Sequence, residues 1–166
     1  MVRKILWSKQ LILFGAITII LVILFAANTS GKIITVDDDG EADYKNVQDA
    51  INISSDGDTI RVWEGTYYEN IVVNKTVSLI GNGSEQTTID GGGEEDAVQI
   101  TADWVNMSSF HISGSGSIGS GIRIESNNNS IHNNNCSNNS NGISLSFSSN
   151  CTITNNTCKN NYYGIN

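Results

Sequence analysis

Apolar and polar residues alternate in the last third of the chain, and the pattern repeats at a fixed spacing. Ile131 and Cys136 recur as Ile153 and Cys158, with the same offset of 22 in both cases. Three Gly-Ile steps mark the same units: Gly121-Ile122, Gly142-Ile143 and Gly164-Ile165. A fixed period in the twenties is typical of solenoid proteins.

Within each unit the apolar residues are two positions apart, as in Ile122 and Ile124, which is strand spacing and not helix spacing. Asn, Ser and Gly separate these short strands and favour turns. Coils of a β-solenoid stack about 4.8 Å apart, so an inward position holds the same residue type in successive coils. We predict three inward ladders: Ile122/Ile143/Ile165, Ile131/Ile153 and Ile112/Cys136/Cys158.

Two other interpretations of the repeat are weaker. Asn/Ser-rich sequence is often disordered, but here the apolar residues keep their register. Leucine-rich repeats have a similar period, but their Leu-x-x-Leu-x-Leu frame is missing.

Residues 1–30 have a different character from the repeats. Arg3, Lys4 and Lys9 precede an uncharged run over residues 11–27. Its length lies between a signal peptide and a spanning helix, and a cleavage site is poorly marked. We predict a hydrophobic N-terminal helix in residues 1–30, an uncleaved signal-anchor that exports the rest; a cleaved signal is the alternative. We predict that the protein is attached to the cell membrane and faces outward, or that it is secreted if the signal is cleaved.

Charge separates the same two parts of the chain. All 17 acidic residues lie after residue 27, together with six of the nine basic residues. The exported part therefore has a net charge near −11 (6 − 17). This charge argues against nucleic acid as a partner.

Residues 31–93 precede the regular repeats and predict a capping module. Ile33–Val36 is a predicted strand, and Val47, Ala50 and Ile51 have the spacing of a short amphipathic helix. The first coil of a solenoid has an open apolar end, which such a helix can cover. Residues 94–166 then form the repeats, which stop without a cap after Asn166 and predict truncation or end-to-end self-association.

Residues 35–51, 57–71, 79–83 and 88–91 resemble the N-terminal cap of right-handed parallel β-helix proteins of the pectin-lyase-like superfamily. The later repeats resemble the NosD-type subfamily of cell-surface proteins. The resemblance implies an all-β fold, a right-handed parallel β-helix of about 22 residues per coil. The resemblance is specific for the fold and not for the function; because residues suited to catalysis are scarce in the repeats, we predict a non-catalytic structural or carbohydrate-binding role, with a cell-envelope polysaccharide or another surface protein as partner. One alternative is a fragment of a polysaccharide-processing enzyme; a second is a NosD-like copper accessory protein.

Residues suited to catalysis are scarce in the repeats. After Asp103 the only acid is Glu125, and the only bases are Arg123 and Lys159. The module 31–93 is similar to that of pectin methylesterases, but the Gln- and Asp-bearing motifs that follow it in those enzymes are missing here. We therefore predict no catalytic residue and no cofactor, and interpret Arg123 and Glu125 as an exposed ion pair.

Two kinds of binding site are weakly indicated. Asp37, Asp39 and Asp43 alternate around Gly40 and could offer oxygens to calcium, although a solvated acidic turn is the simpler interpretation. Exposed aromatic side chains can stack on sugar rings, and the candidates are Tyr68, Tyr162 and Tyr163.

Export makes N-glycosylation plausible at Asn-x-Ser/Thr sequons, of which we select Asn74, Asn82 and Asn106. Copper would need clustered His, Met or Cys. The candidates are scattered: Met107, His111, His132, Cys136, Cys151 and Cys158. We predict that Cys136 and Cys158 are stacked free thiols, because parallel neighbours point both Cβ atoms the same way.

Overall fold

The computed structural model describes residues 31–93 and 95–166. Residues 31–166 form one compact unit. It is a parallel β-solenoid of about six turns, with about 23 residues per turn and one short helix, which confirms the predicted fold class. The predicted signal-anchor helix falls in residues 1–30, outside the described residues. Among the described residues, no helix has the length and apolarity that a membrane crossing requires.

The elements follow the chain as short strands with one helix near the start. The helix α1 spans Val47–Ile53. The strands are β1 Ile33–Val36, β2 Thr59–Val62, β3 Gly65–Tyr68, β4 Ile71–Val73, β5 Ser78–Gly81, β6 Thr87–Asp90, β7 Val98–Ile100, β8 Asn106–Ser108, β9 His111–Ser113, β10 Ser120–Ile124, β11 Ser130–His132, β12 Asn135–Cys136, β13 Asn141–Leu145, β14 Thr152–Thr154 and β15 Tyr163–Ile165.

Every described strand pairs in parallel with the equivalent strand of a neighbouring coil, which produces three sheets. The six-stranded sheet has the order β1-β2-β5-β8-β11-β14. The five-stranded sheet has the order β15-β13-β10-β7-β4, and the four-stranded sheet β12-β9-β6-β3. The chain visits the six-, four- and five-stranded sheets in turn, and each coil has a corner between successive sheets.

The predicted ladders are confirmed in register. Ile122 pairs with Ile143, Ile143 with Ile165, Ile131 with Ile153 and Ile112 with Cys136. The ladders also continue into the first coils, where Val98 pairs with Ile71. Ile122, Ile131 and Ile143 are fully buried, whereas Ile165 in the last coil is 55% exposed. Burial is thus complete along the stack and decreases at its final coil.

Left-handed backbone marks the corners. The positive-φ residues fall at equivalent positions of successive coils: Trp104/Asn128/Asn150, Ser109/Asn133/Asn155 and Gly114/Asn138/Asn160. Asn tolerates this conformation because its short side chain can hydrogen-bond locally. Phe147 is an additional positive-φ residue in a longer corner of the last full coil and is fully exposed.

Buried Asn side chains join the coils from inside. The Oδ1 atoms of Asn129, Asn134 and Asn139 accept the backbone N–H groups of Val105, Phe110 and Ser115, at 2.8–3.1 Å. A buried backbone N–H that lacks a partner is costly. The Asn-rich composition is therefore a structural requirement of both the corners and the interior.

The glycine of the Gly-Ile repeat lies where coils approach closely. A Cβ atom on Gly142 would lie 2.5 Å from the carbonyl oxygen of Gly164, and one on Gly121 would lie 2.8 Å from that of Gly142. Neither distance is compatible with a larger side chain unless the backbone moves. In the Gly-Ile repeat, the glycine therefore allows the close approach of neighbouring coils, and the isoleucine supplies the buried apolar side chain.

Helix α1 covers the first coil, as predicted. Its buried face consists of Val47, Ala50 and Ile51. The carboxylate of Glu69, in the following coil, accepts the backbone N–H groups of Val47 at 2.8 Å and of Gln48 at 2.9 Å. A distant acid thus satisfies the free N–H groups at the helix start and complements the positive end of the helix dipole.

The three cysteines are thiols in the structure. Cys136 is buried, and Cys158 is half-buried in the next coil. A hydrogen bond with Cys158, together with burial, raises the pKa of Cys136 above its usual range. Cys136 is therefore held in the neutral thiol form.

Candidate functional site

A cluster of polar side chains lies on the outward face of the five-stranded sheet. Gln99 in β7 pairs in register with Arg123 in β10. Glu125 directly follows β10, and Asp96 lies two residues before β7. Because outward positions of paired strands are neighbours, two successive coils bring these four residues together.

Glu125 is the centre of this cluster. Arg123 donates from Nε and Nη2 to Glu125 Oε1, both at 2.9 Å. Gln99 donates from Nε2 to Glu125 Oε2 at 2.6 Å. The hydrogen bond from Gln99 holds the pKa of the Glu125 carboxyl below its usual range, Arg123 acts in the same direction, and partial desolvation opposes both. The carboxylate is thus ionised at neutral and mildly acidic pH.

Asp96 adds a second carboxylate beside the guanidinium. Its Oδ1 accepts the backbone N–H of Ser120 at 2.6 Å, which fixes the start of β10. Its Oδ2 lies 3.8 Å from Arg123 Nη1. Asp96 and Arg123 line a shallow depression of about 190 Å³, together with Glu95, Ile118 and Gly119.

A larger open depression of about 660 Å³ adjoins the first at Ile118. The tyrosine rings of Tyr162 and Tyr163 line it and pack edge to face, with centroids 4.7 Å apart. The loop of residues 115–118 and the segment of residues 139–141 complete the lining. Two depressions that share Ile118 thus run from Arg123 toward the tyrosine pair.

The third predicted carbohydrate contact, Tyr68, lies elsewhere. It is 77% exposed on β3 of the four-stranded sheet, and it lines a separate depression with Glu69 and Asp90. The structure therefore places Tyr162 and Tyr163 together, whereas Tyr68 is on a different sheet.

The acidic turn differs from the predicted calcium set. Ligand atoms of Asp37, Asp38 and Asp39 lie within 4.8 Å of one another. Asp43 is engaged elsewhere, because its Oδ2 accepts the backbone N–H of Thr35 at 2.9 Å and the Thr35 hydroxyl at 2.8 Å. These hydrogen bonds lower the pKa of Asp43. Calcium binding at this turn stays a prediction.

The predicted glycosylation sites differ in accessibility. Asn74 and Asn82 are exposed. Asn106 is half-buried, and its Oδ1 lies 3.0 Å from Nε2 of His132 in the next coil. Of the copper candidates, Met107 and Cys136 are fully buried in the core.

Sequence reasoning missed Gln99 and Asp96 as members of the cluster. The offset of 24 between Val98 and Ile122 contains the signal, since the same offset relates Gln99 to Arg123 and Asp96 to Ser120. The predicted ion pair of Arg123 and Glu125 is present, but it is only part of a larger arrangement.

The model of the pectinesterase family matches residues 33–163. Among solved structures, a pectin methylesterase from carrot matches with a TM-score of 0.58 at 20% identity, over 76% of this chain and 47% of that chain. A pectin methylesterase in complex with a hexasaccharide matches with a TM-score of 0.52 at 14% identity, over 76% of this chain and 50% of that one. The chain thus spans about half the length of these structures, and at these identities the likeness shows the fold. The curated proteins include no match.

The family match contradicts the prediction of a non-catalytic structural or carbohydrate-binding protein, and the prediction that the chain is not an enzyme. The alternative, a polysaccharide-processing enzyme, agrees better with the match. The prediction counted acids only beyond Asp103, and so left out Asp96, which lies beside Arg123, and did not consider Gln99, which donates to Glu125. The NosD-type resemblance and its copper alternative stay predictions.

Proposed function

The chain belongs to the pectinesterase family, and on this premise we propose that it is a carbohydrate esterase that hydrolyses methyl esters of a pectin-type polysaccharide. The observation that carries the proposal is the ionised carboxylate of Glu125, held between Arg123 and Gln99 on an open sheet face. A role on the cell surface, with attachment through residues 1–30, remains a prediction.

Hydrolysis of an ester needs an attacking water, a base and a donor for the developing oxyanion. In this proposal, Glu125 accepts a proton from water while the water oxygen bonds to the ester carbon. The bond from that carbon to the methoxy oxygen then breaks, and methanol leaves with the proton that Glu125 had accepted. The acid product releases its own proton to solvent, so the net reaction consumes one water.

Arg123 and Gln99 are suited to stabilise the oxyanion. The guanidinium uses Nε and Nη2 on Glu125, and its Nη1 lies 3.8 Å from Asp96, beyond hydrogen-bonding distance. The amide of Gln99 uses one of its two N–H groups on Glu125. With respect to the described residues 31–93 and 95–166, N–H groups of both side chains therefore remain available to donate to an ester oxygen as negative charge develops.

The two depressions that meet at Ile118 supply a path for a polymer. Tyr162 and Tyr163 present aromatic rings at one end of this path, and Arg123 lies at the other. Exposed rings stack on the apolar faces of sugars, so the tyrosine pair suits a sugar ring on the same chain as the reacting ester.

The test is release of methanol from highly methyl-esterified pectin by the purified full-length chain. We expect measurable hydrolysis, and a loss of about 100-fold or more in E125Q because the proton acceptor is removed. The matched control is E85Q, which replaces an exposed glutamate in the turn before β6 and should keep full activity. Absence of methanol above the buffer rate, or equal activity of E125Q, would overturn the proposal.

A further inference from the structure

We infer that Cys136 and Cys158 form a redox pair, which a small external disulfide converts into a reversible cross-link between the last two described coils. The two side chains occupy one inward ladder position, because Asn135 pairs in parallel with Thr157 and each cysteine directly follows one of these residues. The pair lies inside the stack and not on the outward face of the five-stranded sheet, so the inference does not depend on the proposed function.

The backbone holds the two cysteines at a distance that a disulfide can span. The Cys136 N–H donates to the carbonyl oxygen of Thr157 at 2.8 Å, and the Thr157 N–H donates to that of Asn134 at 2.8 Å. Strands paired in this way lie about 4.8 Å apart, and disulfides join Cα atoms that are about 4.4–6.8 Å apart. The Cα atoms of the two cysteines are therefore within disulfide range.

Closing the cross-link requires a small movement of Cys158. Both Cβ atoms point the same way from parallel strands and lie about 4.8 Å apart, whereas a disulfide brings them to about 3.8 Å. Room for the sulfur comes from Gly142, since a Cβ atom built there would lie only 2.9 Å from Cys158 Sγ. The coil that must move is also the least buried, with Ile165 55% exposed. A cross-link closed under strain is easily reduced again, which makes the pair reversible.

The two thiols have different roles because they differ in exposure and in pKa. Cys158 is half-buried and within reach of a small reagent, whereas Cys136 is buried. A hydrogen bond from the Cys136 thiol lowers the pKa of Cys158, and burial opposes this effect. The thiolate is the nucleophile in disulfide exchange. Cys158 is thus the attacking thiol, and Cys136 resolves the intermediate.

The reaction is two successive disulfide exchanges. The Cys158 thiolate attacks one sulfur of the small disulfide, a new S–S bond forms, and the other half leaves as a thiolate with the electron pair. Cys136 then loses its proton and attacks the sulfur of Cys158, which displaces the second half. The two protein thiols are oxidised by two electrons, the small disulfide is reduced to two thiols, and these take up the two protons.

The experiment treats the reduced full-length chain with oxidised glutathione at about pH 8, where part of Cys158 is thiolate. We expect the intact mass to fall by two hydrogen atoms, and peptide mapping to join Cys136 to Cys158. Dithiothreitol should restore both thiols without unfolding. Hydrogen exchange in β15 should slow severalfold in the oxidised form, because the cross-link ties this coil to the stack.

Cys151 supplies the matched control. It is half-buried like Cys158, but its Sγ lies 3.6 Å and 3.7 Å from the backbone oxygens of Ser126 and Ser149. C151S should form the cross-link at the rate of the unmodified chain, and C158S should form none. C136A keeps the buried position apolar and should stop at the mixed disulfide on Cys158.

Two results overturn the inference. The first is three remaining thiols in the folded chain under conditions that fully oxidise the chain unfolded in urea. The second is a cross-link that includes Cys151, since the register of the coils would then not have selected the pair.

Discussion

The two faces of the five-stranded sheet follow different rules. On the inner face, Ile71, Val98, Ile122, Ile143 and Ile165 form one continuous aliphatic ladder. On the outer face, the neighbouring positions are Val72, Gln99, Arg123 and Ser144, no two alike. The inner ladder specifies the fold because each aliphatic side chain packs against an aliphatic side chain of the next coil. The outer ladder is free of that requirement, and the candidate site lies there.

The largest effect is expected when a charged residue replaces an apolar one on the inner face of β10, compared with a substitution on the outer face of the same strand. Ile122→Asp places an ionised carboxylate in the core, next to Val98 and Ile143, without a partner. We expect a loss of about 3–5 kcal/mol in the free energy of unfolding, measured by urea denaturation. Arg123→Ala, one position further along β10, should cost about 1 kcal/mol or less because its ion pair with Glu125 is half-buried at the surface and partly screened by water. Similar losses in both variants would contradict the distinction between the faces.

A smaller effect is expected from the Asn side chains that join coils inside the stack. Asn134→Ala removes the partner of the Phe110 N–H and of the Met107 carbonyl oxygen, both in the preceding coil. Unsatisfied buried polar groups predict a loss of about 2–3 kcal/mol in chemical denaturation. Asn160→Gly is the control, since Asn160 is an exposed corner residue with φ of 56° that glycine also adopts. If Asn160→Gly changed the free energy of unfolding by more than about 1 kcal/mol, the corner Asn residues would contribute to stability as the buried ones do, against the expectation.

A third variant tests whether the capping helix α1 depends on the carboxylate of Glu69, which lies in the following coil. Glu69→Gln keeps the size of the side chain, but it places an amide N–H against one of the two backbone N–H groups of Val47 and Gln48. We expect a loss of about 1–2 kcal/mol, together with faster hydrogen exchange in α1. Glu64→Gln, at an exposed position, should change neither quantity. Unchanged exchange in Glu69→Gln would show that the cap is held by apolar packing alone.

The smallest expected effect is a pH dependence of stability that comes from Tyr67, on the inner face of β3. Tyr67 is buried, its hydroxyl donates to the Trp63 carbonyl oxygen at 3.3 Å, and burial raises its pKa to about 12. Because the folded pKa exceeds the unfolded value of about 10, its contribution is present below pH 10 and is lost as the pH rises toward 12. Thermal unfolding between pH 9 and 12 should therefore show a decline that Tyr67→Phe reduces. Tyr68→Phe, on the outer face of the same strand, should decline as the unmodified protein does.

The sequence predicted what repeats and missed what does not. Ile131 and Ile153 could be paired from their offset alone, because a buried ladder selects the same residue in each coil. The capping helix was predicted from its apolar spacing, but not the role of Glu69, which is 22 residues away from Val47 and belongs to no repeat. Gln99 was missed for another reason. The offset of 24 places it beside Arg123, but outward positions do not keep one residue type from coil to coil, so the ladder pattern did not draw attention to it.

The acidic turn shows a second limit. The prediction combined Asp37 and Asp39 with Asp43 from their alternation, whereas the structure brings Asp38 to the first two. The hydroxyl and N–H of Thr35 compete successfully for Asp43. Local spacing cannot foresee such a competition, because it is decided by a residue on a neighbouring strand.

The corners of the solenoid differ in length, and this difference shapes the surface beside the candidate site. The path from the four-stranded to the five-stranded sheet takes ten residues from Ile112 to Ile122, but only seven from Cys136 to Ile143. The longer corner contains the loop of residues 115–118, which forms a wall of both depressions. Insertions at corners leave the strands on either side in register. Changes in the length of a corner can thus reshape the rim of the two depressions one loop at a time, while the buried ladders stay in register.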